Sequence, residues 1–172
     1  MTNLIATDSA KQTLGSLVYF FDIEASSTVT LRYHNGVSGS LANVIWYDYN
    51  NPYAQVTYTA MPIKASGQSR VYMGAPERPT LSIGVVATTL SSDLASANIY
   101  NFGDLVGKKV TIRSTLAKYL KGGSADTSAG NSPVEFPKAT YLIESITNLQ
   151  GSSISYELTT PFDTQGMTIP HR

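Results

Sequence analysis

Two histidines and no cysteine bound the chemistry open to this 172-residue chain. Without thiolates there is no cysteine nucleophile, no cysteine zinc site, no ordinary iron–sulfur cluster and no disulfide. His34 stands in Arg32-Tyr33-His34-Asn35-Gly36, where a strand runs into an Asn-Gly turn, and His171 is the penultimate residue. A lone histidine at a turn is expected to be hydrogen-bonded or solvated, and two so placed make no zinc site. The carboxylates add little. Glu135 follows Pro133 and precedes Phe136-Pro137, Glu144 and Glu157 fall on two expected strands, and Asp163 follows Pro161. Glycoside hydrolysis needs two carboxylates converging in a cleft, and twelve acids scattered along the chain show no such pair. There is no Gly-x-Ser-x-Gly elbow, phosphate-binding loop or dinucleotide fingerprint. Gly74, Gly84 and Gly103 are isolated, as turn and bulge glycines are. No catalytic, cofactor-binding or metal-binding residue is assigned, and the chain is read as a non-enzyme without metal or cofactor.

Eleven tyrosines open a different possibility. Tyr47, Tyr49, Tyr53 and Tyr58 gather with Trp46 along one hairpin-like stretch. Such a group serves either as cross-strand packing or as a stacking platform for sugars or bases. Little basic charge is interleaved there. Over the whole chain twelve basic residues balance twelve acidic ones, so no excess of cations is available to neutralise phosphates. No nucleic-acid partner is expected. Only 14% of residues are charged, against about 25% in a typical soluble domain. Two readings fit: a β-rich domain with Ser, Thr and Asn outside, or a subunit that hides much of its surface in an assembly. The longest apolar run falls short of the roughly eighteen residues that span a bilayer. The start, Met1 to Asp8, has no basic region followed by an apolar one. Neither membrane contact nor a secretory signal is expected.

The elements that would position these residues are strands. Leu17 to Ile23 is a dense apolar and aromatic run. Thr28 to Tyr33 alternates, with Val29, Leu31 and Tyr33 on one face. Asn43 to Tyr49 holds Val44, Ile45, Trp46 and Tyr47, and Gln55 to Ala60 puts Val56 and Tyr58 together. Thr80 to Val86 starts after Pro79, which lacks the amide a ladder would need. Lys108 to Ser114 is expected to point Val110 and Ile112 inward and Lys109, Thr111 and Arg113 outward. Thr140 to Thr147 and Ser153 to Thr159 read as a final hairpin turning at Asn148 to Gly151. Helical signals are short: Thr7 to Leu14, capped by Thr7 or Asp8, and Ser91 to Val106, closed at Gly107. The expected fold is therefore mainly β, an antiparallel barrel or sandwich with one or two short helices. One unit over 1–172 is expected, or two small β subdomains meeting near residues 72–80. Lys121 to Pro133 has almost nothing to bury and is expected to be an exposed, mobile loop.

Beyond these readings, a series of motifs in order resembles the minor tail protein L family of lambda-like phages. They are Arg78-Pro79-Thr80-Leu81-Ser82-Ile83, Asp104-Leu105-Val106-Gly107 running into Lys108 to Arg113, Tyr119-Leu120, and Leu142-Ile143-Glu144-Ser145. The ending from Tyr156-Glu157-Leu158-Thr159-Thr160-Pro161 through Gly166 to Ile169-Pro170-His171-Arg172 completes the set. The resemblance spans about residues 58–172, with Tyr58 through Pro62-Ile63 a weaker part. It implies a structural subunit of a long-tailed phage's tail tip or baseplate, joining the tail tube to the hub and receptor-binding parts. It further implies a ring of identical subunits, a homotrimer, with tail hub and distal tail proteins as neighbours. The virion would be assembled in the bacterial cytoplasm. Alternatives are a distal tail ring protein with sixfold symmetry or a tail-associated hydrolase or carbohydrate-binding module. Family members usually continue past the Pro-x-Arg ending into a cysteine-rich domain holding an iron–sulfur cluster. With no cysteine in this sequence, that cluster does not carry over. The segment Pro161 to Arg172 is expected either to reach a neighbouring subunit or to strap its own barrel.

Overall fold

The computed structural model describes residues 16–36, 42–48, 54–67, 78–84, 105–126, 134–150 and 153–161. Among them are nine strands: β1 (Leu17–Glu24), β2 (Thr30–His34), β3 (Val44–Tyr47), β4 (Gln55–Ala60), β5 (Ile63–Ser66), β6 (Thr80–Gly84), β7 (Lys109–Leu116), β8 (Ala139–Gln150) and β9 (Ser153–Thr159). A 3-10 turn, Ala117–Tyr119, follows β7. The chain folds as two compact units, each assembled from three separate stretches. Unit 1 comprises Met1–Asp22, Thr30–Pro62 and Thr111–Ala139, and unit 2 comprises Ile23–Val29, Ile63–Val110 and Thr140–Arg172. The division falls within β1 and β7.

In unit 1 the strand order is β3-β4-β2-β1-β7. β3 and β4 are antiparallel, with Trp46 opposite Val56 and Val44 opposite Tyr58. β2 and β4 are parallel, Tyr33 beside Thr59 and His34 beside Ala60. The all-antiparallel expectation fails at this pair. The chain reverses between β2 and β3 and again between β3 and β4, so β4 returns in the direction of β2. The core of this unit is Val18, Phe20, Trp46, Tyr47, Tyr58 and Leu120. Phe20 stacks on Trp46 with ring centroids 4.5 Å apart and meets Tyr58 edge-on at 4.7 Å. Pairs of this kind add about 0.5–1.5 kcal/mol each beyond their buried area. β1 is buried on both faces, because Phe21 is as enclosed as Phe20.

In unit 2, β8, β9, β6 and β5 follow in order, all antiparallel to their neighbours. Ile63 faces Ile83, and Leu81 faces Tyr156, giving one apolar side. On the other side hydroxyls pair across the strands, Ser66 with Thr80 at 2.8 Å and Ser82 with Ser155 at 3.0 Å. This is the period-two pattern of a sheet with one wet face. β8 carries register shifts between Ile143 and Ser145 and between Ile146 and Asn148, where bulges interrupt the expected hairpin. Leu105 is buried in a left-handed conformation at φ 62°, at a cost of about 1–2 kcal/mol for a residue with a Cβ. Its turn is closed by Lys108 N donating to Leu105 O at 3.1 Å and Gly107 N donating to Ile143 O at 2.8 Å.

The chain is thus mainly β, as its periodicity predicts, and among the described residues the strands do not close into a ring. Periodicity does not reveal β5, because Ile63-Lys64-Ala65-Ser66 is too short and mixed to show alternation. Val29 does not lie on the inner face with Leu31 and Tyr33. It belongs to a turn in which Ser26 Oγ accepts from Val29 N at 3.0 Å, and it is exposed. The expected helix 7–14 lies outside the described residues. So does 91–106, apart from Leu105 and Val106, which form the turn. The boundary expected near 72–80 and the segment after Pro161 also lie largely outside them.

Of the expected loop over 121–133, the part to Asp126 is described, and it is a tight turn. Gly123 N donates to Leu120 O at 2.9 Å, Ala125 N to Lys118 O at 2.9 Å, and Gly122 N to Asp126 Oδ2 at 2.9 Å. A Cβ on Gly123 would run into the Lys118 carbonyl and lie 2.9 Å from Ala117 O. Those obstacles are backbone and cannot swing aside. Gly123→Ala is therefore expected to destabilise the protein by about 1–3 kcal/mol, the range of other forced overpacking. Urea unfolding with an unchanged m-value would report it, and an unshifted midpoint would mean that the turn is not closed in this way.

Candidate functional site

The most concentrated chemistry among the described residues is a polar cluster inside unit 1. Asp22, at the end of the Phe20-Phe21-Asp22 run of β1, is 1% exposed. Tyr58 of β4 donates from its hydroxyl to Asp22 Oδ1 at 3.0 Å. Arg113 of β7 is 2% exposed and reaches four groups. Its Nε donates to Glu135 Oε2 at 2.7 Å, and one terminal nitrogen donates to Tyr47 O and to Tyr58 Oη, both at 3.1 Å. The same nitrogen stands 3.7 Å from Asp22 Oδ2. The guanidinium also lies over the Trp46 ring, 4.2 Å from its centroid. Arg32 of β2 completes the group, with Nε 3.8 Å from Asp22 Oδ1 and a terminal nitrogen 3.1 Å from Asp48 Oδ2.

The expectation that Thr111 and Arg113 point outward is therefore wrong. Both are buried, as is Thr115. Alternation along β7 is real, but from Thr111 to Thr115 its polar residues are buried at Thr111, Arg113 and Thr115, with Arg113 against Trp46 and Tyr58 and Thr115 donating to Val134 O. A buried arginine is tolerable only when carboxylates and carbonyls replace its hydration, and here Glu135, Asp22 and two oxygens do so.

Burial pushes the Asp22 pKa up from 3.8 to about 6, with Arg113, the Tyr58 hydrogen bond and Arg32 pulling against it. Burial also raises the Tyr58 hydroxyl, and the neighbouring Asp22 charge raises it further. Burial draws Arg113 down, but Tyr58, Glu135 and Asp22 together outweigh it, so this guanidinium is held above the ordinary arginine value. The cluster is a structural node with a protonatable member.

His34 is buried, not solvated. Gly36 N donates to Nδ1 at 3.1 Å, so Nδ1 is an acceptor, and Nε2 must then carry the hydrogen bonded to Ala42 O at 3.0 Å. Such an imidazole is neutral, and burial lowers its pKa. The two buried groups oppose each other in the pH dependence of stability. Asp22, raised, contributes stability that is complete below 3.8 and lost as pH climbs through about 6, on the order of 3 kcal/mol. His34, lowered, contributes stability that is present above about pH 6.5 and lost as pH falls. Asp22→Asn removes the first and leaves the second. Its melting temperature should accordingly rise more steeply with pH between about 4 and 6.5 than that of the unmodified protein. Parallel curves would show that Asp22 does not titrate in this range.

The remaining sequence candidates resolve as ion pairs or packing. Arg78, beside Pro79 at the head of β6, donates to Glu144 of β8 at 2.9 Å and to Glu157 of β9 at 3.1 Å. Glu144 and Glu157 do converge, but on a cation at the surface of unit 2, and Glu135 is committed to Arg113. Neither arrangement resembles an acid and base flanking an open cleft. Trp46, Tyr47 and Tyr58 are buried, so they are packing and no stacking platform. Gly84 ends β6. Tyr49, Tyr53, Gly74, Gly103, Asp163 and His171 lie outside the described residues. No group of three or more metal-ligating side chains exists among the described residues. An open pocket of about 360 Å³ in unit 1 is bordered by Asn43, Val44, Ile45, Leu120 and Lys121. Among the described residues its sole ionisable lining group is Lys121, which makes no acid–base pair there.

Among the described residues, the motifs at 78–83, 105–110, 142–145 and 156–161 meet in unit 2, while Tyr119-Leu120 belongs to unit 1. Arg78 joins the β6 motif to those of β8 and β9. Leu158 N donates to Pro79 O at 2.8 Å, and Ile143 N donates to Lys108 O at 2.9 Å. Segments far apart in the chain are thereby one hydrogen-bonded body. No curated protein gives a significant match to the chain. The sequence profile of phage minor tail protein L matches residues 24–172, well over half of the 172 residues. The chain therefore belongs to the phage minor tail protein L family and is a structural component of a phage tail.

Proposed function

We propose that this protein is a subunit of the tail tip of a long-tailed phage. It joins the tail tube to the hub and receptor-binding parts and works as a threefold ring of identical copies. The family match over residues 24–172 carries this reading. Burial supports the non-enzymatic part of it. The most concentrated charged side chains are enclosed or engaged with one another, and the aromatic group fills a core. In this reading each unit is a small tail-hub-like β domain, barrel or sandwich, meeting hub and distal tail proteins as neighbours. The particle assembles in the bacterial cytoplasm, and the chain itself carries no cofactor. Closed cyclic symmetry requires one patch of a subunit to meet a different patch of the next.

Cryo-electron microscopy of virions carrying an epitope insertion after Asp126 tests the placement. Fragments bound to the epitope should decorate the tail tip three at a time. Sixfold decoration at the end of the tube would favour the distal ring alternative, and label on the head or along the shaft would end both.

A further inference from the structure

The Tyr58 hydroxyl has two acceptors within reach, and the difference between them is one proton. Asp22 Oδ1 lies 3.0 Å away and Oδ2 3.3 Å away, while the Tyr47 carbonyl oxygen lies 3.2 Å away. Arg113 meanwhile donates to Tyr58 Oη at 3.1 Å. With Asp22 ionised, the hydroxyl donates to the carboxylate and accepts from Arg113. With Asp22 protonated, the hydroxyl has no carboxylate to serve. It can turn about its C–O bond to donate to Tyr47 O, and its second lone pair can accept from the new Asp22 O–H. A phenolic oxygen accepts two hydrogen bonds, so every donor is satisfied in both arrangements. No heavy atom has to move.

Charge points the same way. Five charged groups face one another here: Asp22 from β1, Arg32 from β2, Asp48 after β3, Arg113 from β7 and Glu135 from the segment before β8. Three carboxylates and two guanidiniums sum to one net negative charge in a site where Asp22 and Arg113 are each 1% exposed at the side chain. One proton brings the sum to zero. Of the three carboxylates, Glu135 and Asp48 hold short contacts to an arginine and retain 19% and 18% exposure. Asp22 is enclosed and stands 3.7 and 3.8 Å from its two arginines. It is the member whose negative charge is least compensated, and the one beside a hydroxyl free to reverse.

The geometry points to a proton-accepting switch in the core of unit 1: Asp22 takes up one proton in mild acid, and the Tyr58 hydroxyl transfers its hydrogen bond from Asp22 to the Tyr47 carbonyl. The proton comes from solvent and stays on the Asp22 carboxyl, and no covalent bond other than that O–H forms. The packing of Phe20, Trp46 and Tyr58 is the same in both states, so unit 1 can pass through the transition folded. A buried acid without a reversible partner would have to expel one arginine or open the core.

Carbon-13 NMR of the unmodified protein, labelled at aspartate carboxyl and tyrosine ring carbons, tests this between about pH 7 and 4.5. The Asp22 carboxyl carbon is expected to titrate as a single-proton step near pH 6. The Tyr58 Cζ signal should follow with the same midpoint, while amide signals of β1, β4 and β7 shift little. In Tyr58→Phe the ring reporter is lost, and protonation should instead be accompanied by large amide shifts in β1 and β7, because Asp22 must find another acceptor. An Asp22 that stays ionised at about pH 5 would overturn the proposal. So would a Tyr58 ring carbon that does not follow, or protonation coupled to general loss of amide dispersion in the unmodified protein.

Discussion

Arg113→Met is expected to lower the folding free energy by about 3–5 kcal/mol, read as a shift of the denaturant midpoint at neutral pH. The loss comes less from the missing cation than from the groups it leaves behind. Glu135 is 19% exposed and can recover hydration, but Asp22, at 1%, cannot. Tyr47 O and Tyr58 Oη each lose a charged donor, although Tyr47 O keeps the Tyr58 hydroxyl within reach. Because Asp22 freed of Arg113 takes a proton at higher pH than before, the penalty should shrink as pH falls toward about 6 and stay level below it. Asp22→Asn introduced alongside Arg113→Met should recover part of the stability, since it removes the uncompensated charge. A loss under about 1 kcal/mol would show that Arg113 is not buried among these partners. Arg78 supplies the contrast. It also holds two carboxylates, but its side chain is 63% exposed, and truncating it should cost no more than about 1 kcal/mol. The same count of ion pairs has different weight because water already solvates one cation and cannot reach the other.

Trp46→Ala should be comparably costly, about 3–5 kcal/mol, through the cavity it opens. Trp46 is fully enclosed between Phe20 and Tyr47 and carries the Arg113 guanidinium on its face. Its indole Nε1 is buried with no hydrogen-bond partner. Trp46→Phe therefore removes ring volume but breaks no polar contact, and its loss should be clearly smaller than that of the alanine variant. The two sites are in contact, so Trp46→Ala and Arg113→Met combined should cost less than their sum. Strict additivity in that double-mutant cycle would argue that the stacked guanidinium contributes nothing.

The strands were legible in the sequence wherever one face is wet. β9 shows it plainly, as Tyr156 and Leu158 are buried and Ser155 is not. Where both faces are covered, alternation loses its meaning. β7 alternates apolar with polar residues, which suggests a solvent-facing polar row, yet Thr111, Arg113 and Thr115 are all buried. The buried cluster left no local trace, because Asp22, Tyr58, Arg113 and Glu135 come from four distant segments. One signal was available. Asp22 interrupts Leu17-Val18-Tyr19-Phe20-Phe21 and Ile23, and a carboxylate in such a run implies a buried cation elsewhere. The order of motifs in the second half was the more informative feature. Most of those motifs are strands and turns of unit 2, tied through Arg78, Pro79 and Ile143, while Tyr119-Leu120 falls in unit 1.

The interleaving of the two units has a consequence for how the chain is made. A ribosome releases β1 early, but Asp22 waits for Arg113, and Arg113 waits for Glu135. The last stretch of unit 1, Thr111–Ala139, emerges only after two of the three stretches of unit 2. At about 5–20 residues per second the apolar run of β1 is exposed for seconds before β7 arrives to cover it. Pairings this distant in sequence also close slowly once synthesis is done. A nascent chain halted at Val110 would hold neither unit complete, its most hydrophobic strand open to holdase chaperones or to a second nascent chain. Emergence of Ala139, which completes unit 1, is the earliest point at which either unit can close.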